Sequence, residues 1–151
     1  MIKREITYED FDGNKHTDVF YFHLNEVELT EIEVDYEGGV QAVFSRATQT
    51  GNNKEAFELI QRFMLSAYGL KEPDGKGFTK NEAITQQFKN SFAYPALYKE
   101  LTSSDELAAR FITGIMPKDF VPEDTTLEDL MKPKSNQVVV NLPPGPLPTK
   151  E

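Results

Sequence analysis

The chain has 151 residues, a hydrophobic content of 38% and a formal net charge of −9, which predict one acidic domain with a modest core. A free-standing nucleic-acid binder is excluded, because it needs a basic face and no Lys/Arg cluster supplies one. The absence of cysteine excludes disulfides, thiolate metal sites and cysteine nucleophiles.

Neither a signal peptide nor a membrane span is visible in the sequence. The first residues, Met-Ile-Lys-Arg-Glu, lead directly into a charged segment. No apolar run approaches the roughly 20 residues that cross a bilayer. We therefore expect a cytoplasmic protein that binds neither membrane nor nucleic acid.

Two β-prone segments open the chain. Residues 2–9 mix β-forming and charged side chains, and residues 17–24 are rich in β-branched and aromatic ones. The turn-forming cluster between them, with Asp12-Gly13 inside it, predicts a β-hairpin. Since a hairpin alone is marginally stable, it is expected to pack on helices or to pair with another chain.

A helix is predicted next, from an N-cap at Asn25 to Tyr36. Its apolar residues form an imperfect stripe, Val27, Leu29, Ile32 and Val34, whose partial alternation leaves a strand open as the alternative. Six acids make this the most acidic segment of the chain: Glu26, Glu28, Glu31, Glu33, Asp35 and Glu37. The acids form either a solvated face or a docking surface for a basic partner.

Further helices are predicted over residues 40–48, 54–68, 80–90, 93–101 and 104–115. The clearest of them places six apolar residues on one stripe: Ala56, Leu59, Ile60, Phe63, Met64 and Ala67. Gly69 is expected to be its C′ glycine. Pro73-Asp-Gly75 predicts a turn that lets two helical layers pack.

The composition changes near Pro117, since seven of the nine prolines lie from there onward. We expect a domain over residues 1–117 and a flexible Pro-rich tail over 118–151. In the tail, Thr125 to Met131 resembles a short amphipathic helix. Val138-Val139-Val140 is either an exposed segment or a strand that adds to a partner's sheet. The fold class is therefore α+β and mostly α-helical, with an N-terminal β-hairpin, five or six short helices and a disordered C-terminal tail.

No constellation of residues points to catalysis, a cofactor or a metal ion. The two histidines, His16 and His23, lie in a predicted turn and at a strand end, without HExxH or Ser/His/Asp spacing. The carboxylates lie in surface-like runs and not in an apolar pocket that would shift their pKa values. We expect no enzyme, no catalytic residue, no cofactor and no metal.

Several short motifs occur in order between residues 20 and 117. They are Phe22-His-Leu-Asn-Glu-Val-Glu-Leu-Thr-Glu-Ile32, Ser66-Ala-Tyr-Gly69, Pro73-Asp-Gly75, Ala93-Tyr94 and Phe111-Ile-Thr-Gly-Ile-Met-Pro117. In this order they resemble a family of siphophage tail assembly chaperones, encoded beside the tape measure protein in long-tailed phages, often of Gram-positive hosts. The first 19 residues and the tail lie outside the resemblance.

The resemblance implies a non-enzymatic, non-virion helper in the host cytoplasm. Such a helper binds the tape measure protein, keeps it soluble during tail tube assembly and gives way to the major tail protein. It also implies a frameshifted longer form of the chain, and a homo-oligomer along the client is left open. The alternatives are a structural tail or head–tail connector subunit of the particle, and a small adaptor that uses the Pro-rich tail.

A protein that holds apolar helices in solution needs an exposed apolar groove. The candidates for partner binding in such a groove are Phe88, Phe92, Tyr94, Leu97, Tyr98, Phe111, Ile112 and Ile115. The same residues would also serve as the core of so small a domain. Phe92 and Tyr94, beside a helix break and a proline, are expected to be the most exposed.

Overall fold

A computed structural model describes residues 1–118. The predicted tail, including its helical, valine-rich and proline-rich segments, otherwise lies outside the described residues. Four strands and six helices occupy the described part. The strands are β1 (Ile2–Glu9), β2 (Lys15–Phe22), β3 (Tyr68–Lys71) and β4 (Phe78–Thr79). The helices are α1 (Glu26–Asp35), α2 (Gly39–Thr50), α3 (Lys54–Ala67), α4 (Glu82–Lys89), α5 (Ala93–Ser103) and α6 (Asp105–Ile115). The α+β class is confirmed.

The N-terminal hairpin is confirmed, with β1 antiparallel to β2 over eight residue pairs from Ile2–Phe22 to Glu9–Lys15. Asp10 organises the turn: its carboxylate accepts hydrogen bonds from the backbone N–H groups of Asp12 and Asn14, at 2.9 and 2.8 Å. His16 Nε2 lies 2.6 Å from the other carboxylate oxygen. The His16 contact and these backbone N–H groups together lower the pKa of Asp10 to about 2.

The hairpin is widened into a four-stranded antiparallel sheet of order β1-β2-β3-β4. Strands β3 and β4 were not predicted from the sequence. The turn at Pro73-Asp-Gly75 joins these two strands, whereas it was predicted to join two helical layers. Gly69 does not cap α3, because α3 ends at Ala67 and Gly69 lies in β3 opposite Tyr21. A Cβ on Gly69 would lie 2.7 Å from the Phe78 ring, so this glycine makes room for that ring.

Helix α1 is confirmed, and the strand alternative is excluded. Asn25 is its N-cap: the Asn25 side chain accepts from the Glu28 backbone N–H, and the Glu28 carboxylate accepts from the Asn25 N–H, both at 2.9 Å. This reciprocal pair is a capping box. It satisfies two backbone donors at the point where the chain leaves the sheet.

The core lies between the sheet and the helices. All six residues of the predicted α3 stripe are buried. Phe22 links the layers, with its ring edge-on to Phe88 at 5.7 Å and to Phe111 at 5.2 Å between centroids. The end of β2 is held by two backbone hydrogen bonds of 2.8 Å, from His23 N–H to Ala67 O and from Leu24 N–H to Ile115 O. The last turns of α3 and α6 are therefore fixed beside each other.

Helices α5 and α6 cover the inner side of β1. Arg4 of β1 forms an ion pair with Glu100 of α5. Gly114 of α6 approaches Ile2 so closely that a Cβ at position 114 would lie 2.3 Å from Ile2 Cγ2. The first strand and the last helix are thus in direct contact, although they are at opposite ends of the described chain.

Candidate functional site

The structure places most of the predicted partner-binding residues in the core. Five of the eight are buried: Phe88, Leu97, Phe111, Ile112 and Ile115. They pack in one cluster with residues of α3 and of the sheet. Their packing accounts for the apolar pattern that singled them out.

The other three are partly exposed: Phe92 and Tyr94 lie at the start of α5, and Tyr98 lies in its middle. The Tyr94 ring is perpendicular to the Phe88 ring at 5.6 Å, and burial raises its pKa. Tyr98 lies edge-on to Phe57 at 6.4 Å. Both tyrosines therefore cover the core with one face, while Phe92 is the least engaged of the three.

Phe11, at the tip of the hairpin, was not singled out from the sequence. Its side chain is 92% exposed, and part of its ring lies against Phe92, with 4.4 Å between the ring centroids. The two phenylalanines form an apolar patch between the hairpin tip and the start of α5. The signal in the sequence was a large apolar residue inside a cluster of Asp, Gly and Asn.

The acidic helix α1 is tied to the rest of the domain mainly on one side. Lys80 Nζ donates to His23 O at 2.7 Å and to both Glu28 carboxylate oxygens, at 2.9 and 2.7 Å. Asp35 near the other end is paired with Arg62 of α3 at 2.6 Å. These two acids are structural, because each is neutralised by a cation from a neighbouring element.

The apolar stripe predicted for α1 is only half correct. Leu29 and Ile32 are buried, whereas Val27 and Val34 are 67% and 73% exposed. The reason is helical geometry: at about 100° per residue, positions 27 and 34 share one face and positions 29 and 32 lie on the opposite one. Helix α1 therefore has an apolar face toward the core and a second, smaller one toward solvent.

A groove of about 290 Å³ lies between α1, α3 and the start of α4. It is lined by polar and charged groups, among them Glu31, Arg62 and Lys80, with Ile32 and Leu65 beneath them. Both of its cations are already paired, with Asp35 and Glu28. The groove is therefore an ion-pair seam with little free charge to hold a small anion.

His23 closes the end of β2 beside this seam. Its Nδ1 is buried and has no hydrogen-bond partner among the described residues. Burial, followed by the positive charges of the chain's amino terminus and Lys80, lowers the pKa of His23, and Glu28 opposes the shift only in part. The imidazole is consequently held neutral, with its ring edge-on to Phe78 at 6.3 Å.

Neither a metal site nor a membrane-spanning helix is found in the part of the chain that the structure describes. Residues 1–118 contain no group of three or more His, Asp or Glu side chains placed to hold a metal ion. No helix in that range combines the length and apolar character needed to cross a bilayer.

A family model described as phage tail assembly chaperone matches residues 1–141. The match reaches beyond the motifs that carried the resemblance, because it includes β1 and extends past the described residues. No curated protein and no solved structure matches the chain. With more than nine-tenths of its length inside the family model, the chain belongs to the phage tail assembly chaperone family.

Proposed function

We propose that the protein binds the tape measure protein of its phage and keeps it soluble in the host cytoplasm while the tail tube assembles. The observation that carries the proposal is the family match over residues 1–141. The role is a non-enzymatic one, outside the finished particle, and ends when major tail protein subunits replace the chaperone on the client.

The physical properties of the chain suit this role. A net charge of −9 keeps a protein soluble while it holds an aggregation-prone client. The buried members of the predicted groove are committed to folding, so client contacts fall to exposed apolar groups. Phe11 and Phe92 form one such patch. Tyr94 and Tyr98 are also partly exposed, and at about 100° per residue they lie on the other side of α5 from Phe92 and offer a separate apolar surface.

The free edge of β1 supports self-association along a long client. Strand β1 is at the edge of the sheet, with β2 on one side only, and its other side offers unpaired backbone groups within the described chain. A homo-oligomer on the tape measure protein, and a frameshifted longer form of the chain within it, belong to the same proposal.

Two experiments test the function together. A pull-down from infected cells with the tagged chain is expected to recover the tape measure protein. Mass spectrometry of purified virions is expected to find the chain absent. Stoichiometric presence in the particle would contradict the proposal and favour a structural tail or connector subunit. A pull-down without tape measure protein would remove its main support.

A further inference from the structure

We infer that the outward face of α1 is a docking surface for an amphipathic partner helix whose apolar stripe is flanked by lysines or arginines. This inference rests on the proposed function, since it names the chemistry of the client segment that this part of the chaperone recognises. The surface consists of Val27 and Val34 with the acids Glu26 and Glu31 beside them, and we call it the α1 valine face.

Exposure of the two valines is the first observation. They are among the most exposed large apolar residues of residues 1–118, at 67% and 73%. They are seven residues apart, so they lie two helical turns apart on one side of α1, roughly 10 Å from each other. A partner helix lying along α1 meets both of them with side chains at the same spacing, as in helix–helix packing.

Unpaired acids beside the valines are the second observation. Glu26 and Glu31 are exposed, and within the described residues neither is part of an ion pair. By helical geometry Glu31 flanks the valines on one side and Glu26 flanks them on the other. Glu28 and Asp35 differ from them, because those acids are neutralised by Lys80 and Arg62. One free acid thus lies on each side of the exposed apolar stripe, with Glu31 on the side of the groove that it also lines.

The negative charge of the α1 valine face favours a basic helix over the other possible binding partners. A second copy of the chain would bring another acidic α1 or another surface of a protein with net charge −9. The chain's own residues 119–131 carry five acids and no lysine or arginine. An anionic lipid surface is repelled by the same carboxylates. A helix with a basic margin instead gains apolar contact at the valines and attraction at both rims.

The test uses two designed helical peptides with the same leucine and alanine stripe, one flanked by lysines and the other by glutamates. Binding is measured by calorimetry on the full chain at low and physiological salt. The lysine-flanked peptide is expected to bind, more weakly as salt rises because exposed charges are screened over about 10 Å at 0.1 M. The glutamate-flanked peptide is expected not to bind.

Variants of the protein then locate the site. Val27→Ser with Val34→Ser should weaken binding of the lysine-flanked peptide by about tenfold or more, and serine resembles valine in helix propensity, so α1 should stay folded. Val19→Ser, at a 45% exposed valine of β2, is the matched control and should leave binding unchanged. Unchanged affinity in the double valine variant, or equal binding of the two peptides, would overturn the inference.

Charge is tested separately from apolar contact. Glu26→Gln with Glu31→Gln should weaken binding about threefold at low salt. Glu5→Gln with Glu9→Gln changes the net charge equally at exposed positions of β1 and should have less effect. An equal effect of both pairs would show that the peptide is attracted to the acidic protein as a whole and would contradict a site on α1. Self-association of the wild type that is lost in the double valine variant would also contradict the inference, because the face would then bind a second copy of the chain.

Overlapping segments of the tape measure protein form the last arm. If they bind the wild type and lose affinity in the valine variant, the inference and the proposed function both stand. If they bind both proteins equally, the inference is wrong and the function stands. If none binds while the lysine-flanked peptide still requires the valines, the function is wrong and the α1 valine face serves another basic helix.

Discussion

Replacement of Gly114 by alanine should destabilise the protein, although the same change in the middle of a helix normally stabilises it. Alanine gains about 0.5–1 kcal/mol over glycine in a helix interior because it loses less backbone entropy, and this value is an upper limit for Gly114, the last residue but one of α6. At position 114, however, the new Cβ would lie 2.3 Å from Ile2 Cγ2. Carbon atoms in contact prefer about 3.5–4.0 Å, so either the Ile2 side chain must leave its position or α6 and β1 must move apart.

The magnitude follows from these opposed effects. Insertion of a methyl group into a packed interface typically costs about 1–3 kcal/mol. Set against a helix gain of at most about 1 kcal/mol, the net loss for Gly114→Ala is between about 0 and 3 kcal/mol, with a midpoint of about 1.5 kcal/mol. In a domain of this size, each kcal/mol lowers the unfolding midpoint by roughly 3–6 °C. Urea unfolding followed by circular dichroism measures the free energy directly.

A double-mutant cycle with Ile2→Ala tests whether this contact causes the loss of stability. Ile2→Ala removes Cγ2, the methyl group that the new Cβ at position 114 would contact. Ile2→Ala alone sets the baseline of the cycle. In the Ile2→Ala background, Gly114→Ala should be neutral or stabilising by up to about 1 kcal/mol. The difference from its effect in the wild type corresponds to a coupling free energy of about 1–3 kcal/mol between positions 2 and 114. Equal destabilisation in both backgrounds would refute the β1–α6 contact. Stabilisation by Gly114→Ala alone would refute it as well.

Three further predictions concern single positions. Folding lowers the pKa of His23 below its ordinary value of about 6.5, so the unfolded chain binds the proton more readily and the free energy of unfolding should fall as pH drops from about 7 to 5.5. Urea titrations should show a smaller fall for His23→Gln than for the wild type. Equal pH dependence in the two proteins would contradict the lowered pKa. Asn25→Ala removes the capping box and should cost about 1 kcal/mol, whereas an unchanged urea midpoint would mean that α1 does not depend on its cap. Phe11→Ser should weaken tape measure binding about tenfold and change the free energy of unfolding by less than about 0.5 kcal/mol, because Phe11 is 92% exposed. Val19→Ser is the control. Unchanged binding by Phe11→Ser would show that this patch does not contact the tape measure protein.

Elements with a clear sequence period were predictable. The alternating hairpin with its Asp-Gly turn and the helical stripe of α3 both follow from local pattern. Ser104, at the first residue of the predicted helix 104–115, is the N-cap of α6, and its side chain accepts from the Leu107 N–H. In each case the residues that form the element also contain the signal for it.

Features that depend on distant parts of the chain were not predictable. Strand β4 has two residues, too few for any period, and it forms because β3 is already held by β2. Gly69 had the position of a helix cap, and only the Phe78 ring reveals its actual role. Contact of Gly114 with Ile2 joins the two ends of the described chain, which no local pattern can show.

The sequence could not separate core residues from surface residues among the predicted partner-binding positions. An aromatic and aliphatic pattern singles out both core and surface residues, since both are apolar, and five of the eight candidates are buried. Val27 and Val34 were placed on one stripe with Leu29 and Ile32, although residues two apart cannot share a face of a helix. That conflict was the available sign of a second apolar face on α1.

If the protein is a chaperone of the tape measure protein, the solubility of the tape measure protein should depend on it. The tape measure protein of the same phage is expressed in bacteria alone, with the chain, and with a chain carrying Phe11→Ser, Val27→Ser and Val34→Ser. We expect the tape measure protein to be largely insoluble alone and to become soluble in a complex with the wild-type chain. The triple variant should fold normally and restore little of that solubility. A tape measure protein equally soluble with and without the chain, and free of it on size-exclusion chromatography, would contradict the account.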